Sequence, residues 1–218
     1  MSRLCLLNHD KQIDINVDES ISLTDAFFAA TYRQLVLATK CFITIYDLSS
    51  VLLGQQLTGS YEKISIPNPI LALTSTIDEI IYVYRSVDNS SELKICCIPS
   101  QTQEQSLTIE SLDPNEKIHL CSLDDGTIYL AYDSKIVSLS TDDQWSFDSK
   151  IVKLCSGKEH ALVLLSDGRV FSWGNGLHGA LGHGDLEPCS QPTHIETLSD
   201  HTVIDIAAGG WHSLGRFV

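Results

Sequence analysis

The chain has 218 residues, 43% of them hydrophobic, and its 28 acidic side chains against 14 basic ones leave a net charge of −14. That length holds one sizeable core or two small ones. The charge repels phosphate and argues against nucleic acid as a direct ligand. The excess is uneven: residues 1–150 carry 21 acids and 10 bases, residues 151–218 carry 7 and 4. Acidic excess serves solubility first and recruitment of a basic partner second.

The opening "MSRLCLLN" has only a short apolar run, too short for a secretory signal, and no stretch approaches the length of a membrane span. Its residues 3–7 read as a strand. Residues 22–38 place Leu23, Ala26, Phe27 and Ala30 at helical spacing, opposed by Thr24, Thr31 and a β-branched run that follows. Strand signals then dominate: 34–48, "EIIYVYR" (79–85), "ELKICCI" (92–98) and 127–140 are β-branched and aromatic, broken by Gly, Asp, Asn, Ser and Pro. Residues 101–116 are polar and read as a loop or weak strand. Seven cysteines, at 5, 41, 96, 97, 121, 155 and 189, include no Cys-x-x-Cys pair. An odd count without a signal points to reduced thiols in the nucleus or cytoplasm rather than secretion.

The sequence also repeats itself. "CSGKEHALVLL" (155–165) and "AAGGWHSLGRF" (207–217) share a pattern in which Gly157 and His160 recur as Gly209 and His212, 52 residues on. "LDDGTIYLAY" (123–132) echoes "LSDGRVFSWG" (165–174), with Asp125-Gly126 preceding Asp167-Gly168 by 42 residues. Residues 35–47 and 71–84 look like two worn copies. A strand-only unit of about 40–50 residues is the signature of propeller blades. Within one unit, Asp167-Gly168 supplies a tight hairpin bend. Residues 161–165, Ala-Leu-Val-Leu-Leu, are apolar on both faces and require cover on both sides.

Gly174-x-Gly176-x-x-Gly179 matches the glycine fingerprint of a dinucleotide site, which needs a helix immediately afterwards. Gly179, Gly182, Gly184 and Pro188 deny that helix, each Gly costing about 1 kcal/mol and Pro about 3. No Gly-Lys-Ser/Thr follows either. The glycines therefore read as allowing tight turns and close backbone approach, with no cofactor.

Gly157-x-x-His160, Asp167-Gly168, Trp173-Gly174, Gly179-x-Leu181-Gly182-His183-Gly184 and Pro192 together resemble the repeat of the regulator of chromosome condensation family. Within it they are most similar to the small branch of proteins defined by carrying that domain. The resemblance covers 151–213 and implies an all-β chain built as a β-propeller of seven blades. The sequence offers roughly four to five blade-like antiparallel sheets, so an incomplete propeller and a truncated chain are expected. The expected division is degenerate blades over 1–150, a well-formed repeat over 151–198 and the start of a second over 199–218.

His160 and His212, at equivalent places, read as making the same blade-internal hydrogen bond twice. His178, His183, His194 and His201 match no zinc spacing, even with Cys189. No Gly-x-Ser-x-Gly occurs, and Cys155 reads as a small packed residue. The adjacent pairs Asp124-Asp125 and Asp142-Asp143 read as turn acids. Trp173 reads as blade packing and Trp211 as a candidate partner contact. No catalytic or metal-binding residue emerges. The resemblance implies a non-enzymatic protein–protein interaction scaffold, a chromatin-linked or mitotic adaptor with a histone-modifying oxygenase of the Jumonji type as partner. Alternatives are a guanine nucleotide exchange factor for a small nuclear GTPase, a substrate-recognition module for ubiquitin transfer, and a non-functional fragment.

Overall fold

The structure, a computed structural model, describes residues 2–8, 11–17, 27–30, 34–38, 42–47, 61–76, 79–89, 91–98, 105–109 and 112–218. The chain divides into two compact units, one of residues 1–73 and 78–110, the other of 74–77 and 111–218.

The first unit opens with the hairpin of β1 (Ser2–Asn8) and β2 (Lys11–Val17). Next comes a four-stranded antiparallel sheet in sequence order, β3 (Phe27–Ala30), β4 (Gln34–Ala38), β5 (Phe42–Asp47) and β6 (Tyr61–Ser65). A second follows: β7 (Ile70–Ser75), β8 (Ile80–Arg85), β9 (Glu92–Ile98) and β10 (Gln105–Thr108). The helical spacing within 22–38 is overruled where the chain is described. Phe27–Ala30 and Gln34–Ala38 pair as neighbouring strands, with Leu35 to Ala38 all buried. A strand covered on both faces needs no alternation, so four consecutive apolar residues suit it as well as they suit a helix. Leu23 and Ala26 lie outside the described residues. The core packs Val36, Ala38, Ile43 and Ile45 of one sheet against Ile80, Tyr82, Tyr84 and Ile98 of the other.

The second unit repeats the pattern with β11 (His119–Ser122), β12 (Ile128–Tyr132), β13 (Lys135–Ser138) and β14 (Gln144–Ser146). The following sheet comprises β15 (Ile151–Ser156), β16 (His160–Leu165), β17 (Val170–Gly174) and β18 (Cys189–His194). A hairpin of β19 (Val203–Ala208) and β20 (Ser213–Phe217) completes it. Helix among the described residues is limited to two three-residue 3-10 turns, Leu177–Gly179 and Glu196–Leu198.

Every residue of β16 is buried, and its two faces serve different cores. Ala161, Val163 and Leu165 join Cys121, Tyr129, Ala131, Ile136 and Trp173 on one side. Leu162 and Leu164 join Val170, Ile195, Val203 and Ile206 on the other. This two-sided cover is what the run of apolar residues demands, and each fully buried leucine or valine contributes about 1.5–3 kcal/mol. The 52-residue period is visible in backbone detail as well. A bulge interrupts the β15–β16 ladder between Ile151 and Lys153, and another the β19–β20 ladder between Val203 and Asp205. The residues they turn outward, Val152 and Ile204, are both exposed. Lys153 and Asp205, one period apart, meet as an ion pair with Nζ donating to Oδ1 at 2.8 Å.

Candidate functional site

Three turns meet at one end of the second unit. The amide of Asp124, between β11 and β12, donates to the carbonyl of Lys158, between β15 and β16, at 2.7 Å. The amide of Lys158 donates in turn to the carbonyl of Gly210, between β19 and β20, at 3.1 Å. Backbone hydrogen bonds thus strap the tips of three successive sheets together.

The glycine-histidine repeat shapes two of those tips. Gly157 donates to the carbonyl of His160 at 2.8 Å, and Gly209 to that of His212 at 2.9 Å. A Cβ on Gly157 would overlap the His160 ring and the Gly209 carbonyl, and one on Gly209 would run into the His212 ring. The glycines are there because an imidazole lies over each. The histidines differ in their partners. His160, 1% exposed, bonds through Nε2 to Ser213 Oγ at 3.0 Å, and Ser213 donates its hydroxyl to the Ala180 carbonyl at 2.7 Å. The hydroxyl proton is committed to Ala180, so His160 donates from Nε2. This bond joins two sheets instead of lying within one blade, and the exposed His212 has no counterpart of it among the described residues. Burial, with the nearby His212 second, lowers the pKa of His160.

The glycine-rich excursion from β17 to β18 answers the dinucleotide question by its geometry. It holds one 3-10 turn and no α-helix, and β17 runs antiparallel to both β16 and β18. Gly174, Gly179, Gly182 and Gly184 all take positive φ. Buried Ser172 anchors the excursion by donating to the Leu181 carbonyl at 2.7 Å, leaving its oxygen to accept from His183 Nε2 at 3.1 Å. Leu181 and Ala180 are themselves buried. Asn175 Nδ2 donates to Glu159 Oε2 at 2.6 Å, and Asn175 Oδ1 accepts from the Leu177 amide.

The two Asp-Gly bends are the same object in different places. Gly168 and Gly126 have φ of 89° and 87°. Each donates to a leucine three residues back, Leu165 or Leu123. Asp167 Oδ1 accepts from the Arg169 amide, as Asp125 Oδ1 does from that of Thr127. These are three-residue loops, a turn closed by one glycine in the left-handed region. Yet Asp167-Gly168 joins the second and third strands of its sheet, whereas Asp125-Gly126 joins the first and second. The 42-residue echo therefore aligns two turns, not two repeats. Residues 35–47 and 71–84 are out of phase in the same way, spanning strands two and three in one sheet and one and two in the next.

An open cleft of about 750 Å³ lies between the last two four-stranded sheets, lined by residues that include Asp124, Asp125, Tyr129, Glu159, Trp173 and Asn175. Trp173, 1% exposed, sits edge-on to Tyr129 at 5.2 Å and 6.4 Å from Trp145. Beside the cleft, Lys158 Nζ lies 5.3 Å from the centre of the Trp211 ring, which His178 meets edge-on. Trp211 and Leu177 are 43% and 50% exposed.

No group of three His, Cys, Asp or Glu among the described residues is placed to hold a metal. His178 contacts Trp211, His183 contacts Ser172, His194 contacts Glu196, and His201 stacks on Phe217. Burial pushes the Cys155 thiol up to about 11 and raises that of Cys121 as well, the opposite of an activated nucleophile. Among the described residues no helix is long and apolar enough to cross a membrane. Ser172, a small polar residue set in the apolar strand β17, and Ser213, at the start of the exposed strand β20, are not marked by the motif. Glu159 was hidden beside the motif histidine.

Antiparallel sheets following one another in chain order, those of the second unit tied at their first turns, are of the propeller-blade type. The repeat itself has a family: the model of the regulator of chromosome condensation (RCC1) repeat matches residues 167–215, and a second model of that description matches 151–180. Residues 151–215 thus carry RCC1 repeats. Over 58 residues the chain is 53% identical to human RCC1 domain-containing protein 1, covering 27% of this chain and 15% of that one. Over 64 residues it is 50% identical to human E3 ubiquitin-protein ligase HERC2, covering 29% of this chain and 1% of that one. The fold resembles that of yeast RCC1 (Prp20), solved bound to Kap60, with a TM-score of 0.62 at 13% identity over 95% of this chain and 56% of that one. The aligned segments thus span only a small part of both relatives.

Proposed function

We propose that this chain is a non-enzymatic protein-interaction scaffold whose working surface is the row of strapped turn tips in its second unit. The observation that carries the reading is the backbone chain from Asp124 through Lys158 to Gly210. It fixes loops from three sheets side by side, which suits recognition by a rigid surface. Trp211, held between the Lys158 ammonium and the edge-on His178 ring and still 43% exposed, is the aromatic anchor of that surface. The motif residues Gly157, His160, Asp167, Gly168, Trp173, Gly174, Gly179, Leu181, Gly182, Gly209 and His212 have structural roles here: they bend, close or pack the sheets.

The partner is a protein. The likeness to HERC2 favours ubiquitin transfer as the second reading, with this chain recognising a substrate in trans. A chromatin or mitotic adaptor role, a Jumonji-type oxygenase partner and exchange-factor activity rest on the family resemblance alone. The test is affinity capture with the full chain and with Trp211→Ala, followed by identification of the proteins lost. Capture of a defined protein by the wild type and its loss in the variant are expected. Capture unaffected by the substitution removes the surface from consideration.

A further inference from the structure

The tip of β15–β16 and the glycine-rich excursion are joined through one residue, Asn175. Its main-chain amide donates to the Glu159 carbonyl at 2.8 Å. Its Nδ2 donates to Glu159 Oε2 at 2.6 Å, and its Oδ1 accepts from the Leu177 amide at 3.0 Å. Gly176 follows it, and the sequence holds no other Asn-Gly pair. Asparagine before glycine is open to ring closure, because no Cβ shields the main-chain nitrogen that attacks.

The chemistry needs only the chain and water. Base removes the Gly176 amide proton and the nitrogen attacks Asn175 Cγ. The N–Cγ bond forms, the Cγ–Nδ2 bond breaks, and Nδ2 leaves as ammonia after taking a proton from water. Water then opens the cyclic imide at either carbonyl and restores the Gly176 N–H, leaving aspartate or isoaspartate.

The fold both imposes this pair and restrains it. Gly176 is buried with a φ of −84°, a value any residue adopts. A Cβ there would overlap the Glu187 carbonyl, so packing is what demands glycine. Ring closure requires Asn175 Cγ to swing onto the Gly176 nitrogen, and the bonds to Glu159 and Leu177 hold both ends of the side-chain amide. The ionised Glu159 carboxylate is an acceptor only and offers no proton to the departing nitrogen.

We infer that Asn175 is a modification site: it converts to aspartate or isoaspartate once its side-chain bond to Glu159 opens, and the product keeps the excursion detached. A carboxylate would then face Glu159 where a donor stood, and like charges at hydrogen-bond distance repel. Isoaspartate also lengthens the main chain just ahead of His178, which meets Trp211. None of this depends on the scaffold reading.

The experiment follows the full chain at mildly alkaline pH, folded and in urea. Mass spectrometry of the peptide around Asn175 reads the one-dalton gain, and an isoaspartate methyltransferase assay reads the second product. In urea Asn175 is expected to convert before any other asparagine, and in the folded chain at least about tenfold more slowly than in urea. Glu159→Ala removes the anchor and is expected to speed conversion in the folded chain at least about fivefold, with amide exchange along β16 unchanged. Asn175→Asp is expected to speed exchange of its own main-chain amide at least about fivefold. Adding Glu159→Gln, whose amide donates to the new carboxylate, is expected to restore it. A folded rate equal to that in urea overturns the inference, as does a wild-type rate in Glu159→Ala. A rise in Glu159→Ala matched by equally faster exchange along β16 assigns the protection to the whole sheet and overturns it too. Unchanged exchange in Asn175→Asp overturns the detachment.

Discussion

The sheets β11–β14 and β15–β18 lie side by side in one unit and share one strand order, yet only the second carries a recognisable motif. In the first sheet the strands have 4, 5, 4 and 3 residues. In the second they have 6, 6, 5 and 6, and the link from β17 to β18 is the long glycine-rich excursion. The corresponding link from β13 to β14 is a short turn in which Asp142 takes a positive φ of 60°. Both sheets place apolar residues against the same core, where Tyr129 and Trp145 from one meet Trp173 from the other. Packing constrains residue type loosely, so many sequences make such a face. Turns with positive φ and buried hydroxyl anchors constrain it tightly. The motif is legible only where the chain needs them.

Substitutions in the shared core offer the largest break in that contrast. Trp173→Ala removes a ring that is 1% exposed and touches both sheets. A loss of about 3–5 kcal/mol in urea unfolding is expected. Trp145→Ala, on the half-buried strand β14, should cost clearly less. Equal losses would mean that the two sheets do not depend on Trp173 as their common element.

Glycine replacements come next and separate crowding from backbone strain. A Cβ on Gly157 has no room between the His160 ring and the Gly209 carbonyl, so Gly157→Ala is expected to cost about 1–3 kcal/mol through forced displacement. Gly126→Ala meets open space and bears only its φ of +87°, about 1–2 kcal/mol. Gly157→Ala should also loosen the join to the β19–β20 hairpin, read as faster amide exchange at Gly209 and Lys158, whereas Gly126→Ala should leave those amides alone. Identical exchange in the two variants would show that the strap does not depend on the glycine.

How far sequence reasoning reached follows from the same distinction. The apolar run of β16 announced its two-sided burial, and the glycines with Pro188 excluded a helix after Gly176. The 52-residue period linking Gly157–His160 to Gly209–His212 is a true structural period, down to its bulges. The 42-residue echo was not, because an Asp-Gly loop closes by local hydrogen bonds and serves any hairpin equally well. The cleft was illegible for another reason. Asp125 does hold a turn, as its position implies, but nothing in the sequence says that Glu159 stands across from it.

Acid exposes a smaller difference, that between the half-buried His119 of one sheet and the buried His160 of the other. His119 of β11 is lowered to about 4, mainly by burial, with Lys117 adding to it. His160 of β16 is lowered as well. The unfolded chain takes up protons at both below its ordinary value of about 6.5, while the folded chain resists. Protons therefore favour unfolding: stability is full above about pH 6.5 and falls as pH drops toward 4, each histidine contributing a slope of at most about 1.4 kcal/mol per pH unit. The expected reading is a urea midpoint that declines over this window in the wild type and less steeply in His119→Gln. An unchanged slope in that variant would assign the acid sensitivity to His160 and its bond to Ser213.

The smallest effect belongs to the exposed ion pairs at the Asp-Gly loop of the second sheet, which the first sheet's loop lacks. Asp167 accepts from Arg169 at 2.6 and 2.9 Å and from Ser149 at 2.7 Å, and Arg169 also reaches Asp148. Arg169 foremost among these holds the Asp167 carboxyl well below the usual carboxylate range. The stabilisation from this pair is present above the ordinary aspartate value near 3.9 and is lost as pH falls below it. Asp167→Asn keeps an oxygen for the Arg169 amide and removes the charge, so it isolates the ion pair from the turn. Water and salt screen so exposed a pair, and a loss of about 0.2–1 kcal/mol, shrinking further in 1 M salt, is expected. Asp125→Asn, in the matching loop without an arginine, should change stability by less and show no salt dependence. If Asp125→Asn costs as much as Asp167→Asn, the carboxylates act through their turns alone, and the Arg169 cluster adds nothing to the sheet that bears the motif.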